Sequence, residues 1–149
     1  MNSLIRNQQQ TLGNWGRTNS LYSYNTLNTS QDTLYSGKTL GYFYKRYIQS
    51  LNGLYKLLIN NDYGYLDVID SNGYIKTRIY RSGWENKSNI AVMQSDGNFV
   101  YYNQRSVPIW ATGTVGNGNR LVLGNDALFR IYNSSNKVLY TSSLGYFDV

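Results

Sequence analysis

Five side chains near the middle of the chain carry the most readable chemistry: Gln94, Asp96, Asn98, Val100 and Tyr102, at alternate positions of one short segment. In an extended segment alternate side chains share a face. The spacing therefore predicts a row of amide, carboxylate, amide, aliphatic and phenol groups on one side. Met93, Phe99 and Tyr101 fall on the other side, with small Ser95 and Gly97 between them. The polar row suits a neutral sugar, whose hydroxyls both donate and accept. Gln and Asn offer both functions, Asp accepts strongly, and Tyr does either. Val100 offers a small apolar contact to the C–H face of a ring. The competing reading is the ordinary polar, solvent-facing side of an antiparallel strand. The row alone does not choose between the two.

Such a row needs a sheet to hold it. No window sustains a helical period of apolar residues. Short apolar runs recur instead, at Tyr55–Ile59, Ile90–Met93, Phe99–Tyr102, Arg120–Leu123 and Phe129–Tyr132. Gly- and Asn-rich turn signals separate them, among them Asn52-Gly53, Asp96-Gly97 and Gly116-Asn117-Gly118-Asn119. Many short strands with regular turns predict an all-β sandwich, barrel or prism.

The runs also repeat. Residues 90–114 and 120–143 share an apolar strand, an Asp, an aromatic strand ending in Tyr-Asn, a polar turn and an apolar-aromatic close. A looser copy spans about 55–83, with its register uncertain by one residue near Tyr63-Gly64-Tyr65, where a slip would turn every side chain to the other face. A single small sheet cannot bury its own apolar face, so three copies predict packing around a shared core. Trp110, Tyr80 and Tyr140 are the expected aromatic wedges at its centre.

Composition narrows the chemistry. The chain of 149 residues contains no His and no Cys. A Ser-His-Asp triad, a Cys nucleophile, a His/Cys zinc site and a disulfide framework are thereby excluded. Acid–base catalysis would fall to carboxylates or Lys. Among the eight acids only Asp67 and Asp70 stand close, in a turn-like stretch, and these read as solvated. The expectation is a protein that is not an enzyme and needs neither cofactor nor metal. The net charge of +6 is scattered, with no basic block, so no nucleic-acid partner is expected. No apolar run is long enough to span a bilayer. No signal peptide is visible, which leaves a cytoplasmic location or export by another route.

The five-position row resembles the mannose-binding signature of the monocot bulb-type lectins, the snowdrop-lectin family. Pro108 to Thr112 is similar to the family's Pro-Ile-Trp-Ala segment, and Asp32 to Leu40 to its opening strand. The resemblance covers roughly residues 32–143. It implies the β-prism II fold: three four-stranded antiparallel sheets about a pseudo-threefold axis. It implies a lectin for mannose or mannose-containing glycans. In the roles it implies, Asp96 and Asn98 hold the axial hydroxyl that separates mannose from glucose. Gln94 and Tyr102 bond the next two hydroxyls, and Val100 packs on ring carbons.

The other two copies depart from this pattern. The third offers Gly124, Asp126, Leu128, Arg130 and Tyr132 at the five positions. It keeps the Asp and Tyr but loses both amides. The first offers Asn60, Asp62, Gly64, Leu66 and Val68 in the simplest alignment. Each lost hydrogen-bond partner costs about 1 kcal/mol, so Asn60, Asp62, Asp126 and Tyr132 are read as remnants of degenerate sites. One weak site per chain calls for several copies on one particle, so a homo-oligomer or larger assembly is expected. The apolar tail from Leu144 to Val149 is either an exchanged or a closing strand. Residues 1–31 form an N-terminal extension with Trp15, Leu21, Tyr22 and Tyr24 as anchors, and 32–149 the lectin-like domain. A self-assembling protein that keeps the fold, and a lectin-like bacteriocin, are the alternative functions.

Overall fold

The computed structural model describes residues 31–149. Most of the N-terminal extension, with its four expected anchors, lies outside the described residues. Gln31 is tied to the domain: its carbonyl accepts from Gln49 N at 2.8 Å, and its amide donates to Ser50 O at 2.7 Å.

Every regular element among the described residues is a strand. In chain order they are β1 (Thr33–Leu34), β2 (Thr39–Leu40), β3 (Tyr47–Gln49), β4 (Tyr55–Ile59), β5 (Leu66–Asp70) and β6 (Ile75–Tyr80). There follow β7 (Ile90–Met93), β8 (Phe99–Tyr102), β9 (Pro108–Ala111), β10 (Arg120–Leu123), β11 (Phe129–Tyr132), β12 (Val138–Thr141) and β13 (Gly145–Asp148). They form three sheets. The first has the order β13-β6-β5-β4-β3, the second β9-β8-β7-β2 and the third β12-β11-β10-β1. Each repeat supplies three strands, and the fourth strands of the second and third sheets come from the opening segment.

The three-sheet architecture matches the expectation, with one difference. The first sheet has five strands, because β13 adds to β6 in parallel. The tail therefore closes a sheet of its own chain. Val149 N donates to Tyr80 O at 2.8 Å, and Arg81 Nε donates to Val149 O at 2.9 Å.

The inner faces of the sheets meet in one core. Leu57, Val68, Met93, Phe99, Leu121, Phe129 and Ile131 are all fully enclosed there. Trp110 and Tyr140 stand edge to face, with centroids 5.9 Å apart, and both pack on Phe129. The third expected wedge is a correction. Trp110 pairs with Tyr101 and Tyr140 with Ile131, and the corresponding pair in the first unit is Thr77 with Val68. Tyr80 falls on the outer face, its ring against Tyr65 at 5.2 Å. Small Thr77 borders a pocket of about 150 Å³ shared with Trp110 and Tyr140 and lined also by Phe147 and Val149 of the tail.

Candidate functional site

In the middle unit Met93 pairs with Phe99 and Val92 with Val100. Phe99 and Tyr101 are buried inward, so Val100 and Tyr102 face outward. Gln94 through Asn98 are not a continuation of that strand, as the spacing alone suggested. They form the tight turn between β7 and β8, with Gln94 N bonded to Asn98 O at 2.9 Å and Gly97 N to Gln94 O at 3.0 Å. The row is thus assembled from a turn, which supplies Gln94, Asp96 and Asn98, and a strand, which supplies Val100 and Tyr102.

Hydrogen bonds draw the turn and strand groups together. The Tyr102 hydroxyl donates to Gln94 Oε1 in a short bond. The Gln94 amide nitrogen donates to both Asp96 carboxylate oxygens at 3.1 Å. Asp96 Oδ1 also accepts from Asn98 N at 3.0 Å. The Asn98 backbone amide and the Gln94 side chain hold the exposed Asp96 carboxyl below the usual carboxylate range. Asn98 turns its Oδ1 toward β9, accepting from Thr112 Oγ1 at 3.2 Å and Gly113 N at 2.8 Å. Its Nδ2 remains a donor. Val100, only 4% exposed, lies on the same sheet face as Tyr102.

Several residues that support this turn carry no signal in the row. Gly97 O accepts from Thr114 Oγ1 at 2.6 Å and from buried Asn119 Nδ2 at 3.1 Å. Gly116 N donates to Asp96 O at 3.0 Å. Gly97 has φ +96°, and a Cβ there would lie 2.3 Å from Gly116 N, so only glycine fits. The repeat spacing that places residues 114–119 beside the preceding turn was the available clue.

The third unit follows the same register, with Leu123 opposite Phe129 and Val122 opposite Arg130. Its cup is occupied by its own side chains. Arg130 Nη2 meets Asp126 Oδ2 at 2.6 Å. A Cβ on Gly124 would lie 2.6 Å from Asp126 Oδ1 and 2.9 Å from Arg130 Nη1. The ion pair therefore fills the place of the missing amide. Tyr132 lies under the Arg120 guanidinium, 5.1 Å from its ring centroid.

The first unit corrects the simplest alignment. Ile59 pairs with Leu66 and Leu58 with Asp67, while Gly64 N reaches back to Asn60 O rather than one residue less. The turn is one residue longer than in the other units. Leu66 and Val68 consequently face the core, at 1% and 0% exposure. The outward positions are Asn60, Tyr65, Asp67 and Ile69. Asp62 stays in the exposed turn, its backbone amide donating to Asn60 Oδ1 at 2.8 Å.

Asp67 is fully buried, not solvated. It accepts a bidentate pair from Arg78, Nε at 2.8 Å and Nη2 at 2.7 Å, and a third bond from Asn60 Nδ2 at 3.2 Å. Asp67 and Arg78 are cross-strand neighbours, as are Val100 and Ala111 in the middle unit. An Arg–Asp pair therefore lies across the cup in the first and third units, where the middle unit has only Val100 and Ala111. No group of metal-ligating side chains occurs among the described residues, and no helix there is long and apolar enough to cross a membrane.

No family model matches the chain, and no curated protein matches it in sequence. Solved structures do. A monomeric monocot mannose-binding lectin from Gastrodia elata is 31% identical over 75% of this chain and 96% of its own, with a TM-score of 0.60. The mannose-specific agglutinin from snowdrop (Galanthus nivalis) bulbs, solved with methyl-α-D-mannoside, is 27% identical over 75% and 98%, with a TM-score of 0.54. A Marasmius oreades lectin, 23% identical over 75% and 90%, shares the fold at a TM-score of 0.62.

Proposed function

Because the chain belongs to the monocot mannose-binding lectin family, with its β-prism II fold, we propose that it is a lectin binding one mannose-type residue per chain, in the cup of the middle unit. The observation that carries this reading is the contrast between units. Only the middle one combines both amides, the carboxylate and the phenol over a floor free of an ion pair.

The roles follow from the donors and acceptors present. Charged Asp96 accepts from a sugar hydroxyl, and such charge-assisted bonds are the strong ones. Asn98 Nδ2 donates to the same axial oxygen. Gln94 and Tyr102 exchange part of their mutual bond for the next two hydroxyls, and Val100 with Ala111 underlies the ring carbons. No covalent bond of the sugar is made or broken. The protein's task is recognition.

A shallow cup of this kind has a dissociation constant on the order of 1 mM, or about 4 kcal/mol. Avidity then requires several chains on one particle. Calorimetric titration with methyl mannoside tests the assignment. Saturation with one site per chain, lost in Asn98→Ala, supports it. No binding at tens of millimolar overturns it.

The low-lying Asp96 carboxyl adds a pH dependence. An acid held below its usual range stays charged until the pH falls beneath that range. Affinity is expected to be flat from pH 8 down through the ordinary aspartate value of about 3.9, and to fall only below it. Loss of binding already near pH 5, with the fold intact by circular dichroism, would contradict the role of Asp96.

A further inference from the structure

The cup leaves unexplained the loop between β2 and β3, which reads Gly41-Tyr42-Phe43-Tyr44-Lys45-Arg46-Tyr47. It displays rings rather than burying them. Phe43 is 82% exposed, Tyr44 58%, Tyr42 46% and Tyr47 42%. A run of exposed aromatic surface of this kind usually marks a contact site.

The loop is built to hold that display. Gly41 N donates to Lys45 O at 3.0 Å, Tyr44 N to Gly41 O at 3.2 Å and Lys45 N to Thr39 O at 3.2 Å. Arg46 Nε donates to Tyr42 O at 2.9 Å while its guanidinium lies 4.3 Å over the Tyr42 ring. Tyr42 meets Phe43 edge to face at 4.8 Å. Gly41 seats the loop against the second sheet, where a Cβ would come within 2.9 Å of Ile90 Cγ2.

The segment that carries these rings has charge of one sign. Thr33 to Asn61 contains Lys38, Lys45, Arg46 and Lys56 and no Asp or Glu. Lys56 Nζ lies 4.4 Å over the Tyr47 ring. Asp62 lines the groove beside Arg46 and Tyr47, yet none of the loop's cations is in an ion pair among the described residues. An apolar tip, tyrosines with a wet hydroxyl end and a collar of unpaired cations complement one kind of surface. Aromatic rings settle at the boundary between headgroups and acyl chains, and cations are drawn to anionic headgroups.

We propose that this loop is a docking surface for an anionic lipid bilayer, with Phe43 and Tyr44 entering the interface and Arg46 and Lys56 lying over the headgroups. Single-stranded nucleic acid also uses rings and cations, but it asks for stacking platforms along a groove. Here the most exposed ring, Phe43, is held edge to face against Tyr42 instead of presenting a stacked series of faces. The contact is peripheral, and it does not use the residues of the cup.

Co-flotation with vesicles tests it on the full chain. Adsorption is expected to rise at least about tenfold from pure phosphatidylcholine to vesicles with one-third phosphatidylglycerol, and to weaken with salt. Phe43→Ala with Tyr44→Ser is expected to cut adsorption about tenfold or more. The variant should keep its circular dichroism spectrum and its methyl mannoside binding if the cup reading holds. Three results would overturn the proposal: no adsorption to anionic vesicles at low salt, adsorption unchanged in the double variant, or an oligonucleotide protecting the loop where vesicles do not. Loss of mannoside binding in the wild type alone bears on the cup, not on the loop.

Discussion

Arg78→Ala is expected to cost about 3–5 kcal/mol of stability, the usual penalty for stranding one member of a buried ion pair. The reason lies in the first unit's cup. Asp67 has no exposed surface, and Arg78 supplies two of the three side-chain bonds that it accepts. Removing the guanidinium leaves the carboxylate with Asn60 alone. The Arg130–Asp126 pair gives the control. Its carboxylate side chain is 50% exposed, so Arg130→Ala should cost no more than about 1 kcal/mol. The middle unit suggests the rescue. Replacing both members, Asp67→Val with Arg78→Ala, installs the pairing found at Val100 and Ala111 and should recover most of the loss. Urea unfolding checks all three variants. An Arg78→Ala midpoint close to that of the wild type would show that the pair is not buried as described.

Asp96→Ala is expected to abolish mannoside binding while leaving the fold intact. The carboxylate is the only charged acceptor in the cup, and a hydrogen bond to a charged group is worth about 1.5–3 kcal/mol. Its loss weakens binding by a factor of about 10–150, enough to push a millimolar site beyond detection. It also frees Gln94 from the position that its amide now holds. Asp126→Ala, at the matching place in the third unit, should leave the sugar titration unchanged because Arg130 already fills that cup. Equal losses from the two substitutions would mean that binding is spread over both units.

Much of this architecture was legible from residue order alone. The alternation of Phe99, Val100, Tyr101 and Tyr102 placed the right pair in the core, because a strand has only two faces. The equal spacing from Tyr102 to Trp110 and from Tyr132 to Tyr140 placed two wedges correctly, since equal hairpins impose equal registers. What escaped depended on contacts between distant positions. The first unit's extra turn residue, in the stretch around Tyr63-Gly64-Tyr65 where the register is open by one residue, shifts Leu66 and Val68 inward. Asp67 read as solvated because its partner, Arg78, lies across a strand pair rather than nearby in sequence. Tyr80 looked like a wedge by type, but the hairpin register and bulge that place Trp110 and Tyr140 put Thr77 at that position in the first unit. The row's alternation holds along β8, while the amides and the carboxylate converge through a turn braced by Thr112, Thr114 and Asn119.

The most direct measurement is a two-dimensional NMR titration of the labelled chain with methyl α-mannoside, followed residue by residue. A single saturable site per chain, with shifts centred on Gln94, Asp96, Asn98 and Tyr102 and quiet signals at Asp67 and Arg130, is the predicted outcome. Saturable shifts centred on the first or third unit, or no saturable shift at all, would contradict it.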